Sequence, residues 1–346
     1  MTYIKGFDSL RAFSIALVIL AHLGLKAGLP DIDYVQTRVW GFLSGGTGVN
    51  VFFTLSGFLI TSILIAEKFR LGKISLKNFY VRRFLRLLPP LIVFYIAVAI
   101  LMNQGLIHNS SIGFFYSLFY VYNFVPTHHY SGELGHTWSL ALEEQFYIVW
   151  PFVINFFRSY RGVILLIYGI ILVSVVFVFV YPDITRLKGY FPSRWFIPAV
   201  SPVLIGSYFA ILNDIYKKRW SEIFKGNYTL LILALVLFVC ALYAPLFLFP
   251  TLFFFQAIAI SLLLVWISYN QSSRFVALLD NKLMSYIGKI SYGLYVYQGL
   301  FLRTGPGGDL WIQQFPQNIL LTVCAAVLSY HLLEKPVLTL KGRFRS

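Results

Sequence analysis

Residues 47–66 read TGVNVFFTLSGFLITSILIA, a run of 20 residues without a charged side chain. A helix of about 20 apolar residues is long enough to span the hydrocarbon core of a bilayer. Apolar stretches of this kind recur from Phe7 to Leu333, and no polar block between them is large enough for a separate domain. The sequence therefore predicts a single transmembrane domain over residues 1–346, with no appended soluble domain.

The composition supports this prediction. Hydrophobic residues make up 58% of the 346 positions and charged residues 12%, which is too apolar for an ordinary soluble domain. The net charge of +15 does not indicate nucleic-acid binding, because the basic residues lie in short loops between apolar segments. Cys240 and Cys324 fall inside apolar segments, so neither a disulfide nor a metal site is expected. Asp8 and Arg11 interrupt the first apolar run, which predicts a retained helix rather than a cleaved signal peptide.

We predict an all-α integral membrane protein of about ten transmembrane helices, with one further segment, Ile112–Val125, that is re-entrant or interfacial. That segment has only 14 residues and is rich in aromatics. The predicted spans are Phe7–Leu25, Thr47–Ala66, Leu87–Asn103, Trp138–Phe157, Val163–Tyr181, Trp195–Ile215, Tyr228–Leu246, Pro250–Tyr269, Met284–Leu302 and Asn318–Leu333.

The distribution of lysine and arginine decides how Ile112–Val125 is interpreted. If this segment does not cross, 20 of the 28 basic residues share the cytoplasmic side with the N-terminus, as the positive-inside rule requires. If it crosses, every later basic cluster faces the wrong side. Both termini are therefore predicted to be cytoplasmic.

Ionisable side chains inside a bilayer are costly and commonly mark functional sites. Arg11 and His22 are eleven residues apart, so they share one helix face and lie about 16 Å apart along the axis. This face links the cytoplasmic leaflet to the outer one. The simpler alternatives are that Arg11 reaches the cytoplasmic surface or pairs with Asp8, and that His22 only bonds a neighbouring helix.

The segment His136–Tyr147 begins a helix that runs inward from the outer face. Glu143 is predicted to lie at a depth similar to that of His22, and an imidazole oriented by a carboxylate can take a proton from an attacking hydroxyl. Glu144 points about 100° away, so only one of the two carboxylates can face the histidine, and Glu143 is our choice. His136, at the outer surface, is a rival base.

The segment Asn78–Pro90 is the strongest candidate anion site and is predicted to be a cytoplasmic loop that Pro89 ends or kinks. Arg83 and Arg86 stand at i and i+3 with Arg82 beside them, which suits the phosphates of coenzyme A. Attraction to anionic lipid head groups, or simple orientation of the chain, is the alternative.

Four of these segments together resemble the acyltransferase-3 family of membrane O-acyltransferases. They are Phe7-Asp-Ser-Leu-Arg-Ala with His22, Gly48–Ile60, Arg82-Arg-Phe-Leu-Arg-Leu-Leu-Pro and Trp138–Tyr147. The later Ser291-Tyr-Gly-Leu-Tyr and Glu334-Lys-Pro also resemble that family, and the matches run in order along nearly the whole chain. The resemblance implies acylation of exported glycans such as O-antigen, capsule, peptidoglycan or exopolysaccharide, usually with acetyl from acetyl-CoA.

The resemblance also implies roles for individual residues. It makes His22 the catalytic histidine, Arg11 its paired arginine, and Arg83 with Arg86 the coenzyme-binding pair. Where this family often has a histidine after the late motif, the chain has Gln298. The complete prediction is catalytic His22, Glu143 and Arg11; coenzyme-binding Arg82, Arg83 and Arg86; and substrate-binding Ser139, Trp138 and His136.

The predicted reaction moves an acyl group, usually acetyl, from cytoplasmic acyl-CoA to a hydroxyl of an exported or lipid-linked saccharide at a plasma or bacterial inner membrane. His22 either deprotonates the hydroxyl or carries the acyl group transiently. The expected partners are acyl-CoA, the glycan acceptor and membrane lipids, without metal or nucleic acid. A transporter or glycan flippase is the alternative, weakened because no matched pair of broken helices occurs in the two halves. A noncatalytic scaffold would leave the intramembrane charges without purpose.

Overall fold

The computed structural model describes residues 3–23, 44–107, 110–184, 189–243, 249–305 and 307–340. Every regular element within these ranges is a helix, which confirms the all-α prediction. The α-helices are α1 Phe7–His22, α2 Gly45–Leu71, α3 Leu76–Asn103, α4 Ser111–Leu118, α5 Thr137–Phe156, α6 Tyr160–Ile184, α7 Phe196–Ala199, α8 Ser201–Ile215, α9 Lys217–Phe224, α10 Tyr228–Tyr243, α11 Phe249–Tyr269, α12 Arg274–Leu279, α13 Lys282–Phe301, α14 Gln317–Ser329 and α15 Lys335–Leu340. A π-helical segment, Tyr330–Glu334, joins α14 to α15.

Several of these helices are long and apolar enough to cross a membrane. Each of the ten predicted spans overlaps a helix, but the number of crossings and their orientation stay predictions. The segment predicted not to cross holds most of the eight-residue α4 and a short 3-10 helix, Tyr122–Phe124. Residues 1–2 and 341–346, on which the prediction of cytoplasmic termini falls, lie outside the described residues.

Within the part of the chain that the structure describes, four helical stretches qualify as spans by length and hydropathy: Gly45–Leu71, Leu76–Asn103, Tyr160–Phe177 and Gln317–Thr339. A fifth is added if Lys217–Phe224 and Tyr228–Ala241, bent by 90°, form one span.

The first helix and α13 run parallel and in close contact. Gly288 lies against the Asp8 backbone, so closely that a Cβ at position 288 would overlap the Asp8 carbonyl oxygen. Further along the same pair, the His22 ring contacts the side chain of Gln298. Asp8 precedes His22 in the first helix and Gly288 precedes Gln298 in α13, so the two helices run in the same direction. Two segments that are far apart in sequence therefore lie side by side.

The third and fifth helices run antiparallel. Tyr80, near the start of α3, donates a hydrogen bond to the carbonyl oxygen of Ile148 late in α5, at 2.8 Å. Phe94, one turn past the middle of α3, packs with its ring centre 5.3 Å from that of His136, just before α5. We call the end of the bundle where α1 and α3 begin the arginine end, and the end that holds His22 and His136 the histidine end.

Two glycines allow α2 and α8 to pack backbone to backbone. A Cβ at Gly57 would overlap the carbonyl of Val203, and a Cβ at Gly206 would overlap the carbonyl of Thr54. Small residues at such positions let membrane helices approach closely. The close contact holds the adjacent face of α2, with Ser56, toward the interior of the bundle.

The arginine-rich segment Asn78–Pro90 is helical, and the prediction of a loop is wrong. The α3 helix runs from Leu76 through Pro89 and Pro90 without a break. A proline is tolerated inside a membrane helix where neighbouring groups satisfy the backbone that it frees. Pro89 and Pro90 free the carbonyls of residues 85 and 86, and at the next position the Tyr292 hydroxyl donates to the Leu87 carbonyl oxygen at 2.9 Å. The arginines therefore stand on one rigid element, in fixed angular relation to one another.

Candidate active site

The arginine end contains a narrow cavity of about 110 Å³, which we call the arginine cavity. Arg83 and Arg86 of α3 line it together, because residues three apart lie on the same helix face. Arg11 of α1 and Glu143 of α5 complete its charged lining. The two arginines thus line one cavity, as their spacing predicts. Arg11 and Glu143 lie in the same cavity and not beside His22.

Arginine side chains dominate the charged lining of the arginine cavity. Arg11 forms an ion pair with Asp8 one turn earlier in α1, which is the simpler alternative considered for this residue. The Arg83 guanidinium lies 4.2 Å from the centre of the Tyr147 ring, a cation–π contact.

Three carboxylates lie close enough to the α3 arginines to interact with them electrostatically. Glu143 lines the cavity and interacts with both arginines, whereas Glu144 interacts with Arg83 and Glu334 with Arg86 from outside the lining. The lining itself carries three guanidinium groups and one carboxylate, and guanidinium groups suit an anionic ligand such as a phosphate.

Arg82 does not line the arginine cavity. Its Nη2 atom lies 3.0 Å from Oε2 of Glu67, and the other carboxylate oxygen accepts a hydrogen bond from the Ser75 amide at 2.9 Å. Successive residues of a helix point about 100° apart, so Arg82 cannot share the face of Arg83. The prediction of three arginines at one coenzyme site is therefore corrected to two.

Ser139 and Tyr295 line the side of the arginine cavity that faces the histidine end. The Ser139 Oγ and the Tyr295 hydroxyl are 2.5 Å apart. The Tyr295 hydroxyl also lies 3.1 Å from the carbonyl oxygen of His136, to which it donates. These bonds connect the cavity with the segment that holds the histidines.

Trp138 faces a different cavity, of about 390 Å³ and with mostly apolar walls. The guanidinium of Arg194 lies 5.7 Å from the centre of the Trp138 ring. Phe53 packs edge-on against Trp138 at 6.1 Å and lines both cavities. The predicted substrate-binding residues Trp138 and Ser139 are therefore separated, each on its own cavity.

His136 is buried, with 2% of its surface exposed. Its ring lies between the rings of Phe94 and Tyr295, at centre distances of 5.3 and 5.5 Å, and the absence of a side chain at Gly299 leaves room for it. Neither ring nitrogen has a hydrogen-bond partner among the described residues. Enclosure by these groups makes His136 a poorer candidate for contact with substrate than the half-buried His22.

His22 is oriented by an amide instead of a carboxylate. Its Nδ1 atom lies 3.1 Å from Oε1 of the fully buried Gln298. Because an amide oxygen only accepts hydrogen bonds, Nδ1 carries the proton and Nε2 is left with a free lone pair. The predicted pairing with Glu143 does not form, because Glu143 lies seven residues past His136 and about 10 Å nearer the arginine end. Gln298 thus occupies the orienting position that had been assigned to Glu143.

The sequence profile described as "Acyltransferase domain" (Acyl_transf_3) matches residues 4–332. The chain belongs to this acyltransferase family. The match covers nearly every described helix, including all those that form the arginine cavity and hold His22. The resemblance inferred from the sequence motifs is therefore confirmed.

This acyltransferase chain is similar in sequence to several curated O-acetyltransferases, of which three are described. It is 30% identical over 361 residues to the O-acetyltransferase OatA of Staphylococcus aureus (strain NCTC 8325 / PS 47), covering 97% of this chain and 57% of the relative. It is 30% identical over 370 residues to the putative peptidoglycan O-acetyltransferase YrhL of Bacillus subtilis (strain 168), with coverage of 97% and 55%. The putative O-acetyltransferase SACOL0978 of Staphylococcus aureus (strain COL) is 27% identical over 398 residues, with coverage of 97% and 57%. The chain spans little more than half the length of these relatives, and no solved structure matches it.

Two residues that contact the predicted site residues were not among the predicted ones. Tyr295 ends the Ser291-Tyr-Gly-Leu-Tyr motif, and Gln298 stands three residues later on the same face of α13. That i, i+3 spacing was the available signal, but the glutamine argued against a titrating role at position 298. Among the described residues no three His, Cys, Asp or Glu side chains are grouped closely enough to hold a metal ion.

Proposed function

We propose that this chain transfers an acyl group, most simply acetyl, from acyl-CoA to a hydroxyl of a carbohydrate. The observation that best supports this is the position of clustered arginines and an oriented, neutral imidazole toward opposite ends of one helix bundle. An anionic donor and a hydroxyl acceptor can then approach from different sides. Membership of the acyltransferase family and the names of the relatives support the same reaction and disfavour a transporter.

The donor would bind at the arginine end. Arg83 and Arg86 would hold the coenzyme phosphates by charge-assisted hydrogen bonds. The pantetheine arm would then extend along the arginine cavity toward Ser139 and Tyr295, which brings the thioester toward the histidine end. In this arrangement the arginine end faces the cytoplasm, where acyl-CoA is made, and the bundle crosses the membrane about ten times.

The acceptor hydroxyl would react at His22. Its Nε2 atom takes the proton as the hydroxyl oxygen attacks the thioester carbonyl carbon and forms the new ester C–O bond. The C–S bond breaks, and the departing coenzyme A thiolate takes the proton from the imidazolium, which restores the neutral ring. A transient acyl group on His22 before attack by the sugar is the other route open to the same residue.

The name of one relative, YrhL, includes peptidoglycan, and we propose an exported or lipid-linked glycan of this chemical class as the acceptor. A plasma or bacterial inner membrane would be the site of the reaction. The chain spans 57% of OatA, so these proposals concern the reaction of the membrane portion that it represents.

The test is acetyl transfer by the purified chain in lipid nanodiscs, supplied with acetyl-CoA and soluble peptidoglycan strands. Free thiol and ester-linked acetate, the latter measured by mass spectrometry, are the two products. His22→Ala is expected to lower kcat by about 100- to 10,000-fold, the range for loss of a general base.

His331→Ala is the matched control. His331 is exposed and bonds the Tyr286 hydroxyl at 3.1 Å, away from both His22 and the arginine cavity. This variant is expected to keep its activity. Normal transfer by His22→Ala, or no transfer by the unmodified chain with any glycan supplied, would overturn the proposal.

A further inference from the structure

The histidine end contains a polar cavity of about 530 Å³, separate from the arginine cavity. This volume lies within the range of about 300–1,000 Å³ that is typical of ligand sites. Three segments distant in sequence line the cavity, those around residues 106–107, 130–133 and 303–313. Its polar lining includes Tyr130, Glu133, Arg303, Thr304, Asp309 and Gln313.

The polar cavity adjoins the catalytic histidine. Gly305, which lines it, packs on the His22 backbone, where an added Cβ would lie 3.1 Å from the His22 carbonyl oxygen. On the opposite wall, the Glu133 backbone reaches the cleft in which His136 and Gly299 meet. A ligand in this cavity would therefore lie within one layer of residues of the His22 ring.

The lining is built from paired polar groups. Glu133 is 5% exposed, and its Oε1 atom lies 2.8 Å from Nε of Arg303. The Tyr130 hydroxyl donates to Oγ1 of Thr304 at 3.0 Å. These bonds fix the donors and acceptors of the wall before any ligand arrives, which lowers the cost of binding.

Two polar groups on the wall are available to a ligand. The hydroxyl of the half-buried Tyr130 donates to Thr304 and can accept a hydrogen bond from a ligand in return. Asp309 is exposed and forms no ion pair with a described residue, so its carboxylate is free to accept hydrogen bonds.

We propose that the polar cavity binds a neutral saccharide ring of the acceptor chain and thereby holds the neighbouring ring, whose hydroxyl reacts, at His22. The inference rests on the proposed function for the role of His22, but saccharide binding itself does not. Fixed donors and acceptors match the vicinal hydroxyls of a sugar, while Leu106 and Leu310 supply an apolar wall for its C–H face. Glu133 and Arg303 neutralise each other, so the carboxylate of Asp309 leaves the cavity negative, which disfavours an anionic sugar.

This proposal is tested by calorimetry, which measures the binding of two oligosaccharides to the full chain in nanodiscs without acetyl-CoA. The neutral probe is the tetramer of N-acetylglucosamine and the anionic probe is the tetramer of galacturonic acid. The unmodified chain is expected to bind the neutral tetramer at least tenfold more tightly. Equal affinities, or tighter binding of the anionic tetramer, would overturn the assignment of a neutral saccharide.

Two variants locate the site. Tyr130→Phe removes a hydroxyl of the cavity wall and keeps the ring, so the Kd for the neutral tetramer is expected to rise about two- to tenfold. Asp309→Asn is expected to weaken binding of the neutral tetramer and strengthen that of the anionic one, an opposite pair of shifts that a general structural defect does not produce. Asp280→Asn, which alters a carboxylate near the start of α13, is the matched control and should leave both Kd values unchanged. Unaltered Kd values in both cavity variants would refute the location.

The same variants separate this inference from the proposed function. His22→Ala should bind the neutral tetramer with an unchanged Kd and transfer no acetyl group. If the unmodified chain binds saccharide but never transfers acetyl, the proposed function fails and the site stands. If it transfers acetyl while Tyr130→Phe and Asp309→Asn leave the acceptor KM and Kd unchanged, the site fails and the function stands.

Discussion

Arg83 and Arg82 are neighbours in sequence, but only the loss of Arg83 is expected to change the KM for acetyl-CoA. This contrast tests the donor site most directly. Arg83 lines the arginine cavity, whereas Arg82 is committed to Glu67. A hydrogen bond to a charged group contributes about 1.5–3 kcal/mol, and each 1.4 kcal/mol is a factor of ten. Arg83→Gln is therefore expected to raise the KM for acetyl-CoA about 10- to 150-fold. The KM for the acceptor should change little, because the acceptor does not reach this end of the bundle.

The control must neutralise Arg82 without leaving a buried charge behind. Removing Arg82 alone would strand the Glu67 carboxylate, which is 5% exposed, at a cost of about 3–5 kcal/mol. The double variant Glu67→Gln with Arg82→Gln removes both charges and keeps an oxygen that can accept the Ser75 amide. Its KM for acetyl-CoA should equal that of the unmodified chain.

The assay is initial-rate thiol release over a range of acetyl-CoA concentrations in nanodiscs of neutral lipid. Neutral lipid removes the competing explanation that the arginines bind anionic head groups. If Arg83→Gln keeps its KM, or if the double variant raises it as much as Arg83→Gln does, the arginine cavity is not the donor site.

Two further predictions concern the imidazole and the helix packing. Gln298→Leu deprives the His22 Nδ1 proton of its acceptor and should lower kcat about tenfold at unchanged KM for acetyl-CoA. Gln298→Glu retains an acceptor and should keep more activity. Full kcat in Gln298→Leu would contradict the orienting role. Gly57→Ala forces α2 away from the Val203 carbonyl and should lower the free energy of unfolding by about 1–3 kcal/mol, measured by denaturation in detergent. In the control, Gly169→Ala, the added methyl group meets open space on α6, so the variant should be neutral or stabilised by up to about 1 kcal/mol. An equal loss of unfolding free energy in both variants would show that close packing at position 57 does not cause the destabilisation.

Sequence reasoning was most reliable where helix periodicity alone decides the outcome. Apolar runs predicted the helices, and the i, i+3 spacing of Arg83 and Arg86 predicted their common face. The same angular rule excludes Arg82 from that face, but it was applied only to Arg83 and Arg86. Pro89 was expected to end or kink the segment, as proline does in water, whereas membrane helices tolerate it.

The partners of individual side chains could not be predicted, because they depend on how helices from distant parts of the chain pack together. Depth estimates put Glu143 beside His22, yet the helix rise carries it to the arginine cavity. Gln298 was discounted because it does not titrate, although the physical need at that position is only for a hydrogen-bond acceptor. The polar cavity is lined by three separate loop regions, and a linear sequence carries no signal that they meet.

The parallel contact of α1 with α13 has a consequence for synthesis of the protein. The ring of His22 and the amide that selects its tautomer are made 276 residues apart. A nascent chain therefore has its histidine in the membrane before the group that orients it has been synthesised. Under the proposed function, a thioester donor meets an oriented base only after α13 has been inserted beside α1.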